Sequence, residues 1–220
     1  MKVLAFAASL RKESLNRKLV VAIAGILRDG GADVDVADFR DFDMPLYDGD
    51  LQAAKGLPPG ALALQRRIEA ASALVIANPE YNYSIAGPLK NAIDWVSRAR
   101  PMPWRGRSVY LASASPGPIG GIRGLWQTRI PLEGCGALVF PDMFALPHAE
   151  RAFAADGSLV EREVAERLRK QLIGFLRLAE AVAPLCCGEA GGSDRQRQQE
   201  IAKALEDESR IQPPSLPVSR

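Results

Sequence analysis

Residues 3–27 read VLAFAASLRKESLNRKLVVAIAGIL. The stretch falls into three parts. VLAFAA (3–8) is apolar at every position, the pattern of a strand covered on both faces, as in a parallel sheet between helices. LVVAIAGIL (19–27) is apolar at helical spacing, and a helix is expected over about 15–29. Between them, ASLRKESLN (8–16) lacks the glycine that an ordinary turn uses for its backbone angles. It carries instead two serines, an arginine, a lysine and an asparagine against a single acid. A strand-to-helix turn so rich in hydroxyl and cationic donors suits an anion, because a helix N-terminus adds free N–H groups and partial positive charge.

The all-apolar pattern recurs in ALVIAN (73–78), SVYLASA (108–114) and ALVF (137–140). DVDVADF (33–39) alternates after Gly30 and Gly31 and reads as a strand nearer an edge. Helical segments are expected at about 60–71, 86–98, 121–135 and 159–183. Alternating strands and helices with right-handed crossovers give an α/β, doubly wound parallel sheet. Five strands favour the flavodoxin-like order 2-1-3-4-5 in a single domain. The acidic, Pro/Gly-marked stretch 40–59 is expected to be a long loop. From Gly188 large apolar residues become sparse, so the domain is expected over 1–187 and a polar, partly helical or disordered extension over 188–220.

The bulk properties exclude several functions. With 28 Lys and Arg against 26 Asp and Glu, the charge is nearly balanced, and neither a nucleic-acid nor a membrane-surface partner is expected. No apolar run approaches the roughly 18–20 residues of a membrane span, and the start of the chain lacks a signal-peptide pattern. Cys135, Cys186 and Cys187 show no zinc spacing, and a reducing cytoplasm is the expected location. The acids Asp41, Asp43, Asp48 and Asp50 lack the glycine and terminal Glu of a calcium loop, so no metal is expected.

Three strand ends carry the chemistry. In the first, Ser9, Arg11, Ser14 and Asn16 are placed to hold a terminal phosphate, although Ser14 also suits a plain helix cap. In the second, NPEYNYSIAGPLKNAIDW (78–95), Pro79, Glu80, Tyr81, Asn82 and Tyr83 form a stiff polar-aromatic turn where a planar ring would lie. In the third, SASPGPIGG (113–121), Ser115 and Gly117 head a run in which Gly120 and Gly121 would let backbone approach a flat ligand. No G-x-G-x-x-G or P-loop pattern is present. A planar ring on a phosphorylated chain describes FMN.

The same residues resemble the NADPH-dependent FMN reductase family, in particular its quinone/chromate reductase-like branch. The resemblance covers about residues 1–183, and its most specific part is PEYNYS with the following GPLKNAIDW. It implies a flavodoxin-like fold, non-covalent FMN, NADPH or NADH as co-substrate, and a homodimer or homotetramer. It assigns Ser9, Arg11, Ser14, Leu15 (through its backbone) and Asn16 to the phosphate. Pro79, Glu80, Tyr81, Asn82 and Tyr83 would lie along the ring, with Ser115 and Gly117 closing the other side. The implied activity is hydride transfer from nicotinamide through FMN to a small-molecule acceptor such as a quinone, chromate or free flavin. N5 of the flavin carries that chemistry, and no catalytic side chain is expected. The alternatives are an azo-dye or organoarsenical reductase of the same superfamily, or a non-enzymatic flavodoxin-like electron carrier.

The lone His148 reads as a surface residue. Arg98, Arg100, Arg105 and Arg107 suit either a nicotinamide phosphate or a solvated cluster. Met102, Trp104 and Trp126 suit a subunit interface.

Overall fold

A computed structural model describes residues 1–186. The extension expected over 188–220, and Cys187, lie outside the described residues. Among the described residues no helix is long and apolar enough to cross a membrane.

The elements run β1 (Lys2–Ala7), α1 (Leu15–Asp29), β2 (Asp33–Ala37), α2 (Gly49–Lys55), α3 (Pro59–Glu69) and β3 (Ala73–Ala77). They continue through α4 (Gly87–Val96), β4 (Ser108–Ala114), α5 (Ile122–Gly134), β5 (Leu138–Val139), β6 (Phe144–Leu146) and α6 (Arg162–Cys186). The parallel sheet has the order β2-β1-β3-β4-β5, as expected, with β6 also paired to β4.

The all-apolar strands divide between two cores because successive side chains point to opposite faces. Val3, Ala5 and Ala7 of β1 pack with Leu19, Ile23 and Leu27 of α1 and Leu172 and Phe175 of α6. Leu4 and Phe6 pack with Leu64 of α3, Trp95 of α4 and Leu125 of α5. β2, at the edge, buries only Val34 and Ala37.

Three local expectations change. The fifth strand position is split: Leu138 and Val139 pair with the start of β4, and Phe144, Ala145 and Leu146 with its end. Pro141, which has no N–H to give a ladder, stands in the interruption. The stretch 40–59 is not a bare loop. Phe39–Phe42 forms a 3-10 turn that places Phe39 and Phe42 against Phe6, with ring centroids 5.5 and 6.3 Å from it. Asp48 then caps α2 by accepting from Asp50 N and Leu51 N. The Pro45 carbonyl between them accepts from Asn91 Nδ2 (2.9 Å) and Trp95 Nε1 (2.8 Å). Finally, Trp104 is fully buried in the second core, so it cannot serve a subunit interface, whereas Trp126 is 54% exposed.

Candidate active site

The order β1-β3-β4 brings three β-to-α connections side by side at the carboxyl ends of the strands. The Ala8 amide donates to Ala77 O (2.9 Å) and the Asn78 amide to Ala112 O (2.9 Å), which extends the sheet register into the connections. One small cleft opens between them. The first connection lines it with Ser9, Arg11, Ser14, Leu15 and Asn16, the second with Pro79, Glu80 and Tyr81, the third with Ala114, Ser115 and Pro116. Of the sequence-derived candidates, Asn82, Tyr83 and Gly117 stand outside that lining.

Ser14 caps a helix and also lines the cleft. Its backbone is extended (φ −86°, ψ 120°) and its Oγ accepts from Arg17 N at 3.2 Å, so it caps α1. The hydroxyl proton remains free to donate into the cleft. No acid stands in the first turn of α1, so nothing there opposes an anion. Ser9 is buried, Arg11 is exposed, and Leu15 rests its side chain on the first core while its amide belongs to the open N-terminal turn. Glu13 is exposed to solvent.

Asn16 is committed more deeply than the sequence suggests. Its Nδ2 donates to Ala114 O (3.0 Å) and its Oδ1 accepts from Ala114 N (2.9 Å). One amide proton is left for a ligand.

In the second connection Asn82 and Tyr83 have φ of 50° and 67°, an uncommon region for residues other than glycine. They form a two-residue reversal closed by Tyr81 N to Ser84 O (3.3 Å) and Ser84 N to Tyr81 O (3.1 Å). Glu80 is not a free acid. Its Oε1 accepts from Arg123 Nε (2.8 Å) and its Oε2 from Gly124 N (3.0 Å). The Arg123 guanidinium, pushed further up in pKa by its hydrogen bond to Glu80, lies 3.8 Å from the Tyr83 ring centroid.

Arg123 and Gly124 were not singled out in the sequence, and neither was Asn78. Asn78 is fully buried, donates from Nδ2 to Thr128 Oγ1 (3.1 Å) and accepts the Ala86 amide at the start of α4 (3.2 Å). The available signal was its position as the last, polar residue of an apolar run.

The glycines of the third connection divide in function. A Cβ on Gly121 would lie 2.2 Å from Ser113 Oγ, and one on Gly120 2.7 Å from Leu146 N, so both serve close packing. Gly117 instead donates its amide to Ser115 Oγ (3.2 Å), and a Cβ there would make only an ordinary contact with that oxygen. His148 is exposed, as expected, and its amide donates to Gly117 O (3.3 Å). Arg107 precedes β4 at the opposite end of the sheet, where its Nη1 bonds Ala71 O (2.8 Å). Arg100 Nη1 bonds Ser97 O (3.0 Å) and Ala99 O (2.8 Å), beyond the far end of α4. Arg100 and Arg107 are thus turned to structural carbonyls, and none of the four arginines of that run lines the cleft.

A doubly wound sheet of this order, with its loops at the carboxyl ends of the strands, is of the flavodoxin-like fold class. Fold likeness alone reaches as far as an archaeal flavodoxin (12% identity, TM-score 0.53, covering 82% of this chain and 99% of that one). The sequence pattern of NADPH-dependent FMN reductases matches residues 1–151, and the chain belongs to that family. It is therefore an oxidoreductase of a family that uses FMN and NAD(P)H. An NAD(P)H-dependent FMN reductase of Pseudomonas aeruginosa is 36% identical over 78% of this chain and 91% of its own length. A quinone reductase of Escherichia coli is 34% identical over 80% and 93%. The solved flavoenzyme NAD(P)H:(acceptor) oxidoreductase FerB of Paracoccus denitrificans is 32% identical (TM-score 0.70), covering 82% of this chain and 98% of that one.

Proposed function

We propose that the cleft holds the phosphate of FMN on residues 9–16 and its ring along 79–83, and that the enzyme uses NAD(P)H to reduce quinones or similar small acceptors. The observation that carries this reading is the convergence of three chain-distant strand ends on one cleft. The donor set fits a phosphate monoester. Ser9 and Ser14 offer hydroxyls, Arg11 a charged fork, and the start of α1 the amides of Leu15 and Asn16. Bound FMN supplies two-electron hydride chemistry, and the protein orients it and excludes water. Pro79, Glu80 and Tyr81 contribute a wall of backbone and ring, Asn82 and Tyr83 the reversal that positions it, and Ser115 and Gly117 the opposite rim. With Glu80 engaged by Arg123, no side chain is called on to move a proton.

Homo-oligomerisation and a cytoplasmic location belong to the same proposal. Trp126 (54% exposed) and Ile130 (64% exposed) stand one turn apart on α5, an apolar face suited to a second copy in a homodimer or homotetramer.

The test is anaerobic. Purified protein loaded with FMN is mixed with NADPH, then with a quinone. Rapid bleaching of the visible flavin band, and its return with quinone, is the expected result. Bleaching that requires a separate reductase would point to an electron carrier, and failure to take up FMN would overturn the reading. Chromate and an azo dye, run as parallel acceptors, rank the alternatives.

A further inference from the structure

The reversal at Asn82–Tyr83 poses a mechanical problem. It has no flanking ladder: the Tyr81–Ser84 pair is an isolated bridge, and no strand pairing continues directly from it on either side. Two backbone hydrogen bonds close it, and Tyr83 sits in the left-handed region without glycine's freedom. An isolated reversal of this kind is marginal in water. Something outside it must keep it shut.

Arg123, in the first turn of α5, reaches both ends of the reversal. On the near side Nε donates to Glu80 Oε1 at 2.8 Å, with Nη2 close on the same oxygen. The Glu80 side chain is only 8% exposed, and the Gly124 amide satisfies its other oxygen. That pairing and the place at a helix N-terminus offset the cost of withdrawing the side chain from water. On the far side the same guanidinium covers the Tyr83 ring at 3.8 Å. Gly124 permits the approach, since a Cβ there would lie 3.0 Å from Ser84 O and 3.1 Å from Glu80 Cα.

We infer that Arg123 is a positioning residue: by gripping Glu80 and Tyr83 together it holds the 80–83 reversal in its ring-receiving shape before the cofactor arrives. The inference rests on the reading that this cleft takes FMN. Lysine does not replace the arginine, because the role needs a planar fork on the carboxylate and a flat face on the ring. The two contacts act through one group, so losing either should loosen the same segment.

The test compares wild type, Arg123→Ala, Arg123→Lys and Glu80→Gln as full-length protein. Amide hydrogen exchange is followed in the apo-protein, and FMN affinity is measured by quenching of free-flavin fluorescence. In Arg123→Ala the Tyr81 and Ser84 amides should exchange at least about ten-fold faster, and FMN should bind about ten-fold more weakly, as for loss of a charge-assisted hydrogen bond. Amides of β1, β3 and β4 should keep their protection. Arg123→Lys and Glu80→Gln should fall between wild type and Arg123→Ala. Unchanged exchange at Tyr81 and Ser84 would overturn the inference, as would faster exchange spread across the whole sheet. If wild type binds FMN and Arg123→Ala binds it equally well, the clamp fails while the functional reading stands. If wild type does not bind FMN, the functional reading fails, and the inference fails with it as a statement about cofactor binding.

Discussion

Asn16 and Ala114, 98 residues apart, exchange a complete pair of hydrogen bonds: Asn16 Nδ2 to Ala114 O at 3.0 Å and Ala114 N to Asn16 Oδ1 at 2.9 Å. Ala114 lies two residues past Ala112, the last β4 residue paired with β3. The asparagine side chain thus serves its backbone as a further strand residue would. In doing so it bolts the first turn of α1 to the end of β4.

Asn16→Ala should therefore destabilise the protein even without ligand. It strands a buried N–H and C=O, which costs about 1–3 kcal/mol. Urea unfolding of the apo-protein checks this. An unchanged midpoint would return Asn16 to a purely ligand-binding role.

Arg11→Ala should behave in the opposite way. Arg11 is exposed, so apo stability should move by no more than about 0.5 kcal/mol. FMN affinity should fall by about 1.5–3 kcal/mol, as for a lost charged hydrogen bond. Fluorescence titration of FMN reads the second quantity, and equal affinity would remove Arg11 from the site.

Gly121→Ala and Gly117→Ala separate packing from binding. Gly121 has φ of 85° and its Cβ would strike Ser113 Oγ, so the substitution should cost about 1–3 kcal/mol of stability. At Gly117 a Cβ meets only Ser115 Oγ at 3.5 Å, and stability should hold to within about 0.5 kcal/mol. Thermal melts of the two apo-proteins decide the contrast.

Tyr110 sets an alkaline limit. Its fully buried phenol donates to Gln171 Oε1 at 2.8 Å, and burial raises its pKa far above the ordinary value of 10.0. A raised folded-state pKa means the contribution is whole below pH 10.0 and is lost as pH rises beyond it, because the unfolded chain ionises first. Stability should fall with increasing pH above that point. Tyr110→Phe should lose about 1 kcal/mol at neutral pH and show a shallower alkaline slope. Denaturant melts between pH 7 and about pH 11 test both.

Much of the candidate site is legible in residue type and local position. Ser9, Arg11 and Ser14 stand out as donors in a glycine-free turn, and their place after an all-apolar strand puts them at a helix start. Tyr81 and Tyr83 are equally visible, but the left-handed backbone at Asn82 and Tyr83 is not. Nothing in NPEYNYS demands it as a glycine would. The order of the stretch 40–59 is not legible locally because it comes from elsewhere: Asn91 and Trp95 hold Pro45, and Phe6 receives Phe39 and Phe42.

The sequence by itself determined the alternation of strands and helices, the burial of the strands on both faces, and the three donor-bearing strand ends. These follow from hydrophobic period and residue chemistry, which act over a few neighbouring positions. Only the tertiary structure decided that Glu80 pairs with Arg123, that Asn16 belongs first to Ala114, and that Gly120 packs against Leu146. Each of those partnerships joins segments made neighbours by strand order or helix packing. No local pattern records a contact whose two halves lie tens of residues apart.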